Sequence, residues 1–157
     1  MSILHDSKDE WRIELELYFN PEDKEWANYL ISVYKSTDNH WVLDKVLSLL
    51  NKDVQFLDIY YENELQMITN GFDDILESKI DQFVFSPIDE KDFTLKISES
   101  IINAGFNLQL TNNNSDNSTL HLSISKQALR EFAISLKAQC ESVFLELKKN
   151  LDRKNGS

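Results

Sequence analysis

Catalysis and metal binding most often recruit histidine, cysteine and clustered carboxylates, and this chain disperses the first two. His5, His40 and His121 lie far apart, and Cys140 is the single cysteine. There is no His-Glu-x-x-His, no paired cysteine and no Cys–His spacing of the kind that holds zinc. Gly71, Gly105 and Gly156 are too scattered to form a phosphate-cradling loop. Cys140 falls on the apolar stripe of an expected helix, so it should be a buried thiol with a raised pKa rather than an activated nucleophile. The run Asn112 to Asp116 has oxygens at the odd positions of a calcium loop. The sixth and twelfth places, however, are Asn117 and Ser123 instead of Gly and Glu. Acid pairs are plentiful: Asp73-Asp74-Ile75-Leu76-Glu77 could hold magnesium, and a glycosidase-like carboxylate pair is decided by separation in space.

Charge placement is more informative than any catalytic motif. The chain carries 16 basic and 27 acidic residues, a formal net charge of −11. Residues 1–99 hold 22 acids and nine bases, whereas residues 100–157 hold five and seven. Within 53–92 there are eleven acids against Lys79 and Lys91, a net −9. Such a balance disfavours direct contact with nucleic-acid phosphates or an anionic membrane. Asp73, Glu77 and Asp81 recur every four residues, a spacing at which like charges destabilise a helix by ~0.2–0.5 kcal/mol per pair. A solvated acidic face accounts for this as solubility. A docking surface for a cationic partner accounts for it as function, since a single-sign patch speeds encounter and rejects wrong partners. On the second reading Asp53, Asp58, Glu62, Glu64, Asp73, Asp74, Glu77 and Asp81 are the candidate partner-binding residues. Phe56, Tyr60, Tyr61 and Phe72 are interleaved with them as possible anchors, some of which must serve the core.

A chain of 157 residues and 18.3 kDa suits one domain, 1–157, with 1–9 and 152–157 expected to fray. Hydrophobic residues at 41% and aromatics at 11% argue against disorder. A lone cysteine excludes an internal disulfide and fits a reducing cytoplasm. The first residues meet charge before any apolar run forms, so no secretory h-region is expected, and no stretch approaches a membrane span. The sequence offers no internal repeat and no linker. Trp11 to Phe19 alternates apolar and polar residues and predicts a half-buried strand; Tyr29 to Lys35 predicts a second. Asp38 or Asn39 is placed to cap a helix reaching about Asn51. Val54 to Tyr61 predicts a central strand, apolar on both faces, and 63–78 predicts a helix that Gly71 could split. Four more strands are expected at 82–85, 93–98, 106–111 and 119–125, the last two joined by an Asn-rich mobile tip. Leu129 through Leu151 recur at helical spacing, with Ser125 as cap and Lys148, Lys149, Arg153 and Lys154 toward the negative end of the dipole. The expected fold class is α+β, an antiparallel sheet with packed helices, including a long C-terminal helix.

The segment 83–97, Phe-Val-Phe-Ser-Pro-Ile-Asp-Glu-Lys-Asp-Phe-Thr-Leu-Lys-Ile, leads through a hairpin to Ser123-Ile124-Ser125-Lys126-Gln127-Ala128-Leu129-Arg130-Glu131-Phe132. In this order, over roughly 62–140, the chain resembles bacterial immunity proteins of polymorphic and contact-dependent toxin systems, particularly the wall-associated-protein type. The resemblance implies a small cytoplasmic, non-enzymatic protein without cofactors that binds a cognate toxin domain and occludes its active site. Many such toxins are nucleases with basic clefts, where acidic side chains can take the place of phosphates. A small metal-dependent enzyme using clustered carboxylates, or an oligomeric scaffold, is the alternative.

Overall fold

A computed structural model of the chain describes residues 1–23, 25–88, 91–102 and 104–155, with side chains of the final helix as far as 152. The alternating stretch Trp11–Phe19 is strand β2, flanked by β1 (Ser2–His5) and by the twelve-residue β3 (Trp26–Thr37), all antiparallel. Its period of two puts Ile13 and Leu17 into the core and turns Arg12, Glu14 and Glu16 outward. The far edge of β3 is shared by β4 (His40–Leu43), an isolated bridge from Ile31 to Leu49, and β5 (Phe56–Asp58). Helix α1 (Glu64–Leu76) follows. A second antiparallel meander then runs β6 (Gln82–Phe85), β7 (Phe93–Glu99), β8 (Gly105–Asn112) and β9 (Ser118–Ser125). It ends in the 30-residue helix α2 (Lys126–Asn155), whose first turn is capped by Ser125 Oγ accepting from Ala128 N at 3.0 Å. The fold is α+β: among the described residues there are two antiparallel sheets and two helices, the last of them long. An order of antiparallel meander followed by helix occurs twice, without a matching repeat in the sequence.

The inner faces of both sheets and both helices contribute to one core, in which Tyr29, Phe72, Ile97, Ile124, Leu129 and Leu136 are essentially inaccessible. Polar interlocks join the sheets. Asn112 Nδ2 donates to the carbonyls of Val46 (2.9 Å) and Ser48 (3.1 Å), while buried Asp92 accepts from the Tyr29 hydroxyl (3.1 Å) and from Asn114 Nδ2 (2.9 Å). The asparagines at 112–114 are therefore hydrogen-bonded to the body, and the exposed residues of the expected mobile tip are Asn114, Asp116 and Asn117.

Three expectations are corrected. Residues 39–51 are not a helix: Asp38 and Asn39 both take positive φ, 49° and 64°, and form a two-residue hairpin that pairs Thr37 with His40. Only a single turn forms, at residues 45–47, where Asp44 Oδ1 accepts from Val46 N and Leu47 N at 3.0 Å, and Leu49 lies in the bridge to Ile31. The N-terminal residues do not fray throughout, because Ser2 and Leu4 are buried in β1. β5 is short and lies at the sheet edge rather than its centre; its outer apolar residue, Phe56, meets Trp26 edge-on at 6.3 Å. Gly71 leaves α1 unbroken and buried, for a Cβ there would collide with the Phe83 ring.

Candidate functional site

The connection from β5 to α1 is built by two buried carboxylates. Asp58, 6% exposed, turns Oδ1 back along its own chain to accept from three successive amides, Tyr60 (2.9 Å), Tyr61 (2.8 Å) and Glu62 (3.2 Å). Glu64, 1% exposed, accepts from Asp58 N through Oε2 and from Ile88 N through Oε1, both at 2.6 Å. Charge-assisted bonds of this length are the stronger kind, and they fasten the turn to the loop after β6. Ile59 packs inward, and its amide donates to Glu25 O at 2.9 Å. Asn63, left-handed at φ 49°, accepts from Gln66 N at 3.3 Å and starts α1. With the backbone held on these sides, Tyr60 and Tyr61 are left 65% and 70% exposed, their rings edge-on at 4.9 Å.

The turn continues into a stripe on α1. Met67, Asn70, Asp74 and Glu77 follow Asn63 at steps of four, three, four and three, and so share one face of the helix. Met67, Asn70 and Glu77 are exposed and Asp74 is half-buried. The stripe thus runs from an aromatic pair at the N-terminal end of α1 to acids at its C-terminal end, roughly 20 Å away at 1.5 Å per residue.

The eight acidic candidates are not one patch. Asp58 and Glu64 bind the protein's own amides inside the fold and are corrected from contact residues to supports of the turn. Asp53 is exposed ahead of β5, Glu62 is exposed within the tyrosine turn, and Asp81 is exposed ahead of β6. Asp73 pairs with Lys137 of α2 at 2.5 Å, joining the two helices, and Glu77 pairs with Lys79 at 2.9 Å. Asp73, Asp74 and Glu77 do converge: the hydrogen bond that Lys79 donates to Glu77, and the fields of all three acids, raise the Lys79 pKa. They sit where α1 has no basic residue in its last turn, so they oppose the helix dipole as well as each other. Of the four aromatics, Phe72 is core and Phe56 half-buried, leaving Tyr60 and Tyr61 at the surface.

Sequence reasoning missed the supporting roles of Asp58 and Glu64. The detectable signal was local: an Asp followed by residues whose amides lie two and three positions on is an Asx-type turn former. Elsewhere, Cys140 is buried as expected, and burial pushes its thiol up to about 12. His40 lies in β4 and His121 on the outer face of β9. Among the described residues no three His, Cys, Asp or Glu side chains are grouped to hold a metal ion, and no helix is long and apolar enough to cross a membrane.

No known protein family and no curated protein matches the chain. Among solved structures it is similar to that of the plant transcriptional regulator PBF-2, at 11% identity over 94% of this chain and 83% of that one, with a TM-score of 0.45. A likeness of that degree carries no argument about function.

Proposed function

We propose that this protein is a non-catalytic binding protein that holds a basic protein partner against the tyrosine turn and the exposed stripe of α1, as an immunity protein occludes its cognate toxin domain. The observation that carries the reading is the rigid display of Tyr60 and Tyr61, two large side chains exposed on a turn whose amides are held by Asp58 from within. Tyrosine offers wide contact area for little lost side-chain freedom, and fixing the backbone beforehand removes part of the ordering cost of association. A standard protein interface covers about 800 Å² per partner, a footprint that spans the roughly 20 Å from the tyrosines to Asp74 and Glu77. The acids then supply steering more than contact energy: with a net charge of −11, the chain attracts a basic surface at long range. A toxin with a basic, phosphate-binding cleft is the partner this arrangement suits, and the cytoplasm is the compartment in which such occlusion protects the cell.

The test is protection. This reading expects a secreted protein with a toxic C-terminal domain to be encoded beside the chain, and that domain is produced in a sensitive strain, with and without the chain. Co-production is expected to restore growth, and Y60A/Y61A to abolish the rescue while the variant stays folded. Undiminished rescue by that variant would remove the tyrosine turn from the account, and absence of rescue by the unaltered chain would remove the immunity reading.

A further inference from the structure

A second surface, independent of the tyrosine turn, lies where α2 crosses the edge of β2. β1 pairs with β2 only as far as Ser2 opposite Leu15, so Leu17 and Phe19 extend past it. The Gln139 side chain of α2 takes the place of the next strand: its Oε1 accepts from Leu17 N at 3.0 Å and its Nε2 donates to Leu15 O at 2.9 Å. The same amide nitrogen reaches Ser2 Oγ at 2.7 Å, which fixes the glutamine in this pose. Because backbone groups alternate sides along a strand, Leu17 C=O and both backbone groups of Phe19 face the same way as those that Gln139 satisfies. Among the described residues none of these three groups has a hydrogen-bond partner.

These groups open into a groove of about 430 Å³ between β2 and α2. Ala138, Ser142 and Glu146 form its exposed α2 wall, Val143 and Phe19 give it an apolar side, and Glu16 and Glu146 are its acidic lining, with Met1 at the end nearest β1. Among the described residues no lysine or arginine side chain lines it. An unpaired strand edge is a template for another strand, and natural proteins usually cover or charge it. Here it is left open, with one of its pairs already mimicked by a side chain.

We propose that this groove takes an extended, basic segment of a protein partner, which adds to the sheet as a strand in line with β1. Its backbone would bond Leu17 C=O and Phe19 N–H. Period two then sends alternate side chains toward Val143 and Phe19, where apolar groups fit, and toward Glu16 on the outer face, where Lys or Arg fits.

The probe is a synthetic nine-residue peptide of alternating Val and Lys, titrated into the ¹⁵N-labelled full chain, with a Val/Glu peptide as control. The Val/Lys peptide is expected to shift the Phe19 backbone amide and the Gln139 side-chain amide, and to slow hydrogen exchange at Phe19 at least tenfold. Ala138→Arg and, separately, Ser142→Arg, both at exposed positions, should weaken binding at least tenfold with the rest of the spectrum unchanged. Phe19→Pro removes that N–H, which faces away from β3, together with the ring that lines the groove, and should do the same. No perturbation at Phe19, or an equal response to the acidic peptide, would overturn the proposal. So would shifts at Phe19 on concentrating the chain alone, since these would make a second copy the occupant. None of these outcomes depends on Tyr60 or Tyr61, so failure here leaves the tyrosine surface standing and the reverse holds.

Discussion

Glu64 shows how little formal charge says about where a carboxylate works. It counts toward the acidic run of the sequence, yet it is 1% exposed and spends its oxygens on the amides of Asp58 and Ile88. Removing it strands those donors. Glu64→Ala should therefore cost about 3 kcal/mol, while Glu64→Gln, which keeps one acceptor, should cost less than half as much. Denaturant unfolding of the two variants checks the order, and equal losses would mean that packing, not hydrogen bonding, is what Glu64 supplies. Cys140 was read correctly because an apolar stripe at steps of three and four states burial directly, whereas a carboxylate in a loop carries no such marker. Its folded pKa, raised to about 12, sets a sign. Below the ordinary thiol range both states hold the proton and pH has no effect. Between that range and about 12 only the unfolded chain has released it, so stability falls as pH rises, by about 1.4 kcal/mol per unit. Cys140→Ser should flatten this alkaline limb of a stability–pH curve, and an unchanged limb would assign it to other groups.

At the scale of elements, the strands and the two real helices were legible wherever one period dominated. The residues 39–51 were not, because Val42, Leu43, Val46, Leu47 and Leu50 satisfy a helical spacing while Asp38-Asn39 is equally good as a two-residue hairpin turn. Pairing of β4 with the long β3 decided between them, and that is tertiary information. β5 was misplaced for a similar reason: an edge-on contact with Trp26 makes the outer face of an edge strand apolar. Gly71 is the instructive residue in α1. By propensity alone Gly71→Ala should stabilise the helix by about 1 kcal/mol. The Phe83 ring occupies the space the methyl would take, and it also packs edge-on against Phe72 at 5.9 Å. Displacing it should reverse the sign, with a net loss of about 1–2 kcal/mol in denaturant unfolding. A stabilised variant would show instead that the ring swings away freely.

For the whole molecule, the sequence indicated excess negative charge but not its partition. The fold spends two of the eight candidate acids inside, pairs two with lysines, and gathers Asp73, Asp74 and Glu77 at the end of α1 against the helix dipole. Asp74→Lys with Glu77→Lys should leave stability unchanged or slightly improved. The same pair should slow association with a basic partner severalfold at low salt, an effect that fades within the screening of ~0.15 M salt and above. Stopped-flow rates across an ionic-strength series check this, and a salt-independent rate would separate the acids from recognition. The tyrosine turn makes the sharper demand. The decisive measurement is the dissociation constant of the toxin domain that the proposed function expects as partner, for the unaltered chain and for Y60A/Y61A, with circular dichroism confirming the fold. If the two rings anchor the complex, the variant binds at least ~100-fold more weakly, as paired hot-spot residues do. An affinity within twofold of the original would contradict the account.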